Sequence, residues 1–196
     1  MNRKTIQEQR KKGYFIEAAK KIIKEDGVAN LTVKKVADLA GFAPGTLYNY
    51  FTDLNALLAY CALDFWQECK EYVLKVAGEN DGMKRKIIDS SSAYVDYFFN
   101  NQNVFKLMFL EDFGKIPDEI KEKFYNPDVV LLFFSYFEEC VEEGLIPSGN
   151  LKSIVNIVAN FIHGILLFYI MGRTKETREE IQLLLEEQID YLMNTH

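Results

Sequence analysis

The chain is poor in the residues that metal sites and disulfide frameworks require. Its 196 residues contain only three cysteines and two histidines. The cysteines form no C-x-x-C pair and leave an odd thiol in any disulfide scheme, so we interpret them as small core residues of a reduced, intracellular protein. The histidines, His163 and His196, have no cysteine or carboxylate grouping at ligand spacing. We therefore predict no metal site.

Patterns typical of catalysis are also missing. With only two histidines, no Ser/His/Asp order in the sequence rises above chance. The sequence contains no glycine-rich loop of the kind that cradles phosphate. These absences predict that the chain is not an enzyme and that it uses no cofactor.

The sequence gives little support for a signal peptide or a membrane span. Residues 1–12 are polar and charged, so they lack the apolar core of a signal peptide. The longest apolar run, residues 154–171, contains Asn156, Asn160 and His163, which are costly to place in lipid. This run favours a buried or interface helix, and we expect the protein in the cytoplasm.

Charge is distributed unevenly along the chain. The formal net charge is −6, which by itself argues against a general nucleic-acid binder. Residues 1–52 contain ten Lys and Arg against five Asp and Glu, whereas the remaining residues contain 13 basic and 24 acidic side chains. A basic N-terminal part on an acidic body is expected if the N-terminal part binds phosphate and the body must not bind it. An ordinary solvated lysine face is the alternative.

Apolar residues recur at helical spacing along the whole chain, without an internal repeat. The first helical stretch ends at Gly27, and its apolar face carries Phe15, Ala18, Ala19, Ile22 and Ile23. Later helices are predicted over residues 54–77, 83–100, 104–113, 151–171 and 176–193, with clear breaks at residues 78–82 and 144–149. The sequence predicts an all-α fold of about nine helices, with a three-helix head at residues 1–52 and a larger helical body at residues 53–196.

Residues 31–50, LTVKKVADLAGFAPGTLYNY, predict two short helices joined by a sharp turn. In the first helix, Thr32 occupies the N-cap position and Gly41 follows the last periodic residue. Gly41 is free to take the positive φ that the turn needs. Pro44 fits the first position of the second helix, where its missing N–H costs nothing. The stretch is therefore a candidate helix-turn-helix.

The outward side chains of the second helix predict a nucleic-acid interface. Leu47 and Phe51, four residues apart, can turn inward together. The residues left outside are small or carry hydroxyl and amide groups, which suits close approach to a major groove. A helical hairpin that merely packs is the alternative. The residues predicted to meet DNA are Lys34, Lys35, Ala43, Pro44, Gly45, Thr46, Tyr48, Asn49 and Tyr50.

The ordered string GFAPGTLYNYF, preceded by TVKKVADLAG and followed by ALL at residues 56–58, resembles the DNA-binding signature of the TetR (tetracycline-repressor) family of bacterial regulators. The resemblance covers residues 15–58. It implies a homodimer whose helix-turn-helix heads read a palindromic operator and whose helical bodies bind an effector and each other. The family usually has a lysine that meets a DNA phosphate at the position of Leu54, so this chain departs from the pattern there.

The body is rich in aromatic side chains. Beyond residue 52 it contains twelve Phe, eight Tyr and Trp66. Core packing explains most of these rings, but the same content also suits an apolar pocket in which tyrosine hydroxyls orient a ligand. No Arg or Lys stands obviously among the apolar stripes, which favours a hydrophobic or amphipathic ligand over a strongly anionic one. The predicted pocket residues are Cys61, Phe65, Trp66, Tyr94, Phe98, Met108, Phe109, Phe133 and Phe137.

The last two predicted helices are too apolar for full exposure to solvent. The resemblance implies that they meet the same pair of a two-fold mate as a four-helix bundle, and Gly164 would permit close approach of helices. The alternative is that both helices complete the monomer core. The predicted interface residues are Ile154, Val158, Phe161, Ile165, Phe168, Leu184, Leu185, Ile189 and Leu192.

Together these features predict a ligand-responsive DNA-binding regulator, in which an effector shifts the dimer away from its DNA-competent state. A helical ligand-binding or protein-interaction module that does not read DNA is the alternative. The sequence leaves open whether the regulator represses or activates, which effector it binds and which operator it reads.

Overall fold

The computed structural model of the chain describes residues 3–78 and 82–194, and within them the regular structure is helical throughout. This confirms the all-α prediction. The α-helices are α1 (Arg3–Asp26), α2 (Val33–Ala40), α3 (Leu54–Ala77), α4 (Met83–Asn100), α5 (Gln102–Leu110), α6 (Lys121–Tyr125), α7 (Asp128–Glu142), α8 (Leu151–Ile170) and α9 (Arg178–Asn194). Short 3₁₀ segments occur at Val28–Asn30, Pro44–Asn49 and Ser148–Asn150. The centre of the predicted break at 78–82 and the last histidine, His196, lie outside the described residues.

The chain forms two compact units that divide it differently from the sequence order. Unit 1 contains residues 1–66 and 101–127, and unit 2 contains residues 67–100 and 128–196. Helix α3 gives its first half to unit 1 and its second half to unit 2. The boundary at residue 52, which separates predicted functions, remains a prediction. The division into compact units follows tertiary packing and not the order of the chain, because α5 belongs to the same unit as α1.

The core of unit 1 forms where α1 packs against α2 and α5. Phe15 and Ile23 of α1 are fully buried, as are Val104 and Leu107 of α5. The side-chain amide of Asn103 donates a hydrogen bond to the Lys24 carbonyl at 3.2 Å. The predicted three-helix head is therefore covered on one side by α5. The two residues joined by this hydrogen bond are 79 positions apart in sequence.

In unit 2, α4 lies at the centre and contacts α7, α8 and α9. Its buried face includes Ile87 and Phe98, and the opposing helices contribute Leu166 and Leu185. The Arg178 guanidinium donates to the Phe99 carbonyl at 2.8 Å and to the Asn100 side chain at 2.9 Å. The start of α9 is thus tied to the end of α4.

The second element of the helix-turn-helix differs from the expected α-helix. It is a 3₁₀ segment, Pro44–Asn49, in which the Thr46 amide donates to the Ala43 carbonyl and the Tyr50 amide to the Leu47 carbonyl. These are i to i−3 bonds, the pattern of a 3₁₀-helix, which proteins use in short pieces and connectors. The pattern of inward and outward side chains survives, because Leu47 and Phe51 both remain buried.

Candidate nucleic-acid interface and apolar cavity

The turn between the two elements follows directly from its local chemistry. The Thr32 hydroxyl accepts a hydrogen bond from the Lys35 amide at 3.2 Å and so caps the start of α2. Gly41 adopts φ 79° and ψ 30°, the left-handed conformation that ends the helix, and the Phe42 amide donates to the Ala37 carbonyl at 2.9 Å. Pro44 then begins the 3₁₀ segment. The backbone therefore presents residues 43–50, here called the recognition segment, in a defined orientation.

The recognition segment is held from below by aromatic and aliphatic packing. Leu47 is 0% exposed and Phe51 is 3% exposed. The Phe15 ring lies 6.5 Å from that of Phe51, 5.9 Å from that of Tyr50 and 5.1 Å from that of Phe42. Because α1 is itself packed on α5, the segment rests on the core of unit 1.

The predicted DNA-contacting residues form one accessible surface beside these buried anchors. Tyr48 is 57% exposed. A Cβ atom added at Gly45 would meet no atom within 4 Å, so this side of the segment is open to a close approach. Thr46 and Tyr50 are half-buried, and the exposed residues are Lys34, Lys35, Ala43, Pro44, Gly45, Tyr48 and Asn49. This exposed polar surface is the candidate nucleic-acid interface.

A polar brace that the sequence did not reveal lies beside the recognition segment. The Tyr60 hydroxyl donates a hydrogen bond to the Glu119 carboxylate at 2.5 Å, and the Lys12 ammonium lies 3.5 Å from the Tyr60 ring centroid. The hydrogen bond from Tyr60 lowers the pKa of Glu119, and desolvation raises that of Tyr60. Residues 60 and 119 are far apart in sequence, so no local pattern could have paired them.

Unit 2 contains a small apolar cavity of about 80 Å³. Three of the predicted pocket residues, Tyr94, Phe133 and Phe137, line it. Tyr94 and Phe133 meet edge to face with ring centroids 5.8 Å apart. The other lining residues are Ser91, Val130, Val155, Val158, Ala159, Ile162 and His163.

The remaining pocket candidates lie elsewhere. Phe98 is fully buried and packs against Tyr94 at 5.0 Å without lining the cavity. Five candidates belong to unit 1, where they contribute to its packing: Cys61, Phe65, Trp66, Met108 and Phe109. Cys61 and Phe65 are fully buried, and Trp66 meets Phe109 edge to face at 5.8 Å. Aromatic residues at helical spacing serve cores as well as pockets, so their type alone did not separate these roles.

The cavity carries a small polar cluster that sequence reasoning missed. The Tyr94 hydroxyl lies 2.9 Å from His163 Nε2, and the two rings meet edge to face. Burial lowers the pKa of His163 and raises that of Tyr94, so both groups are neutral at pH 7. The Ser91 hydroxyl is fully buried and has no hydrogen-bond partner within the part of the chain that the structure describes. The i, i+3 spacing of Ser91 and Tyr94 was the available sequence signal.

Burial divides the predicted dimer residues into two groups. Ile154, Val158, Leu185 and Ile189 are at most 5% exposed, so they pack inside unit 2 and are not accessible to a partner subunit. For these four positions the structure favours the monomer-core alternative. Phe161, Ile165, Leu184 and Leu192 are half-buried, and Phe168 is 56% exposed. The exposed apolar surface of α8 and α9 also includes Ile157, Met171, Leu183 and Tyr191.

The comparison that decides the family concerns unit 1. Residues 15–61 match the model of a family described as bacterial regulatory proteins, tetR family. The matched range contains all nine predicted DNA-contacting residues and both buried anchors. Residues 15–61 therefore belong to the tetR family of bacterial regulatory proteins. No curated protein matches it in sequence.

Solved structures extend the likeness in fold to nearly the whole chain. A regulator described as putative TetR-family from Rhodococcus sp. has a TM-score of 0.72 at 17% identity, over 95% of this chain and 100% of that one. The fatty acid degradation regulator FadR from Bacillus halodurans has a TM-score of 0.70 at 18% identity, over 94% and 95% of the two chains. RolR in complex with resorcinol has a TM-score of 0.74 at 13% identity, over 95% and 88%. At these identities the likeness establishes the fold.

The departure from the family pattern lies where α3 begins. Asp53 Oδ1 accepts a hydrogen bond from the Ala56 amide at 2.8 Å and caps the helix. Leu54, at the position where the family usually has lysine, is half-buried and uncharged. The start of α3 is therefore stabilised by the Asp53 N-cap and does not need a cation at residue 54.

One helical stretch of the described chain, Ser148–Ile170, is long and apolar enough to cross a membrane by length and composition. Asn156 and Asn160 are exposed on it, and amide side chains are costly in lipid.

Proposed function

We propose that this TetR-family transcriptional regulator is a repressor, which binds a palindromic operator as a homodimer and is released by a hydrophobic or amphipathic small molecule. The observation that carries the proposal is the exposed recognition segment, in which Tyr48 and Asn49 are accessible while Leu47 beneath them is fully buried. A surface that merely packed would bury these side chains. The proposal assigns DNA reading to residues 1–52, effector binding and dimerisation to residues 53–196, and no catalytic step.

The recognition segment supplies two kinds of contact in this proposal. Thr46, Tyr48 and Tyr50 bind phosphates and fix the register of the protein on DNA, while Lys34 and Lys35 add electrostatic support. The residues closest to the base edges are Ala43, Pro44, Gly45 and Asn49. The side-chain amide of Asn49 has the donor and acceptor that a base edge can match, and the open side of Gly45 permits the approach.

Dimerisation places two recognition segments on one operator. The accessible apolar side chains of α8 and α9, with Phe168 at 56% exposure and Leu183 at 62%, suit burial against the same surface of a second copy. A two-fold dimer then reads two half-sites about 34 to 36 Å apart, which is one turn of the duplex. The palindromic operator follows from this symmetry.

Effector release uses the cavity of unit 2. Its apolar lining with a few polar side chains has the composition of a small-molecule site. RolR, which shares the fold, is described with resorcinol bound. Helix α3 is covalently shared between unit 1 and unit 2, so an effector that prefers one arrangement of the dimer can change the population able to bind DNA. A coupling of about 1 to 3 kcal/mol would change DNA affinity roughly 5- to 150-fold.

Fluorescence anisotropy tests the proposal. The purified protein is titrated into labelled duplex from the intergenic region beside its own gene, at low and moderate salt, with random duplex as competitor. We expect tight binding at dimer stoichiometry that survives the competitor and weakens steeply with salt, because phosphate contacts release counterions. Absence of binding to any duplex at low salt would contradict DNA reading and favour a protein-interaction module.

A further inference from the structure

The cavity of unit 2 has walls of one chemical kind and a single polar corner. Its aliphatic lining comes from Val130, Val155, Val158 and other small side chains, and its rings from Phe133 and Phe137. Against these walls, three polar side chains stand together: Ser91, Tyr94 and His163. A ligand that fills the cavity therefore meets hydrogen-bonding groups at one end only.

The unsatisfied hydroxyl of Ser91 marks the place where a ligand would bind. Its oxygen is buried and lacks a hydrogen-bond partner within the described residues, and Ser91 is among the residues that line the cavity. An unsatisfied buried hydroxyl is destabilising, and a ligand that donates or accepts a hydrogen bond there would remove this penalty. Ser90, its neighbour on α4, is equally buried and also has no hydrogen-bond partner among the described residues, but it does not line the cavity.

The electrostatics of the polar corner select against an ionised head group. The lining contains no Lys, Arg, Asp or Glu among the described residues. The hydrogen bond between Tyr94 and His163 joins two groups that burial keeps neutral, since it lowers the pKa of the imidazole and raises that of the phenol. A carboxylate in this corner would lose its hydration without gaining a cation, which disfavours its binding.

A neutral hydroxyl group matches this corner. It can donate one hydrogen bond and accept another, and so can pair with the Ser91 hydroxyl whichever way that hydroxyl turns. It can also share the Tyr94 oxygen, whose own bond to His163 is already made. We propose that the effector site of this regulator takes an uncharged, largely apolar molecule with one hydroxyl group, a phenol or an alcohol, and that Ser91 is its specificity-determining residue. The inference rests on the proposed function for its regulatory meaning, whereas the binding itself is independent of DNA.

Calorimetric titration of the full-length protein with three matched probes tests the ligand class. Para-butylphenol, para-butylbenzoate and butylbenzene share one apolar frame and differ in the head group. We expect para-butylphenol to bind about 5-fold or more tighter than butylbenzene, as one net hydrogen bond would give, and para-butylbenzoate to bind weakest. Tightest binding of the benzoate, equal binding of phenol and butylbenzene, or binding of none of the three would overturn the inference.

A pair of neighbouring serine variants locates the hydrogen bond. Ser91→Ala should lower the affinity for para-butylphenol about 5-fold and leave that for butylbenzene within about twofold. Ser90→Ala is the matched control, because it removes an equally buried hydroxyl from the same helix outside the cavity, and it should leave both affinities unchanged. Equal effects of the two variants would overturn the role of Ser91.

Two further variants keep the test decisive if Ser91→Ala folds poorly, as judged by circular dichroism. Ala159→Phe fills the cavity and should abolish binding of para-butylphenol. Tyr94→Phe keeps the ring and should reduce the preference for the phenol over butylbenzene. Retained phenol binding in Ala159→Phe would place the ligand elsewhere. These calorimetric outcomes contain no DNA, so they are distinguishable from failure of the anisotropy titration, which alone tests DNA reading.

Discussion

The recognition segment of unit 1 and the cavity of unit 2 arrange the same kinds of side chain in opposite ways. In the recognition segment, polar residues such as Tyr48 are accessible and apolar Leu47 is buried beneath them. In the cavity, polar Ser91 is buried among apolar walls. DNA is read by polar groups on an exposed, well-anchored surface, whereas a small apolar ligand is selected by a few polar groups inside a dry site. The arrangement of side chains, more than their type, distinguishes the two sites.

The largest expected effect is the loss of cooperative folding when unit 1 is shortened to its N-terminal residues. A fragment of residues 1–66 should fail to unfold cooperatively, because it lacks α5, whose Val104 and Phe105 are at most 1% exposed in the intact chain. Urea unfolding followed by circular dichroism measures this, with the intact chain as control. Cooperative unfolding of the fragment together with operator binding would show that the recognition surface needs only the N-terminal residues.

Removing the anchor beneath the recognition segment should have the next largest effect. Leu47→Ala should lower the free energy of unfolding by about 2 to 5 kcal/mol, since it leaves a cavity under Tyr48 and Asn49, and should weaken operator binding. Leu39→Ala is the matched control, because Leu39 is 48% exposed, and its effect should be within about 0.5 kcal/mol. Equal losses in the two variants would contradict the anchoring role.

The exposed apolar surface of α8 offers a third comparison. Phe168→Glu should raise the dimer dissociation constant by on the order of 30-fold, equivalent to about 2 kcal/mol, because it would bury a charge in the proposed interface. The control is Leu131→Glu on α7, where a leucine of similar exposure, 55% against 56%, lies outside that interface. Sedimentation velocity over a dilution series measures both. A dimer insensitive to Phe168→Glu would place the interface elsewhere.

A smaller effect is expected at a single phosphate contact. Tyr48→Phe should weaken DNA binding by about 1 kcal/mol, which is roughly 5-fold, and by the same factor for operator and random duplex. Tyr125→Phe removes a hydroxyl from a tyrosine that is 64% exposed outside the recognition segment, and should change neither affinity. Loss of discrimination without loss of overall affinity would contradict the phosphate role.

The smallest expected effect is the pH dependence of unit 2. Burial lowers the pKa of His163 in the folded chain, so below an unfolded-state pKa of about 6.5 the unfolded chain binds more protons. The stability contributed by this group is therefore lost as the pH falls through that value. Between pH 7.5 and 6.0 the free energy of unfolding should fall further in the native chain than in His163→Gln. The extra loss should be less than about 1 kcal/mol. Identical pH profiles in urea unfolding would show that His163 is not buried neutral.

The helix-turn-helix was predictable in detail because its determinants are local. Thr32, Gly41 and Pro44 act through caps and turns that involve only neighbouring residues, and each lies in the structure where its chemistry predicted. The helical type of the second element was not predictable in the same way. Short 3₁₀ turns are frequent as connectors, and the apolar periodicity of a six-residue segment does not distinguish 3₁₀ from α bonding.

The cavity and the accessible apolar surface required the assembled helices. The sequence marked Tyr94 and Phe98 as equal candidates, although packing sends only the first into the cavity. Similarly, Val158 and Phe168 belong to one predicted apolar stripe, and the stripe is wide enough that one residue faces the monomer core while the other remains exposed. Helical periodicity gives the angular position of a residue, but not which neighbour covers it.

The sequence by itself determined the helical class, the turn and the composition of the DNA-reading surface, because short-range hydrogen bonding and hydrophobic periodicity specify them. Tertiary structure alone decided that residues 101–127 complete unit 1, that Tyr60 meets Glu119, and that Ser91, Tyr94 and His163 share one cavity. These groups are distant along the chain or compete with many similar side chains. Their contacts arise only when each helix buries its apolar face against particular partners.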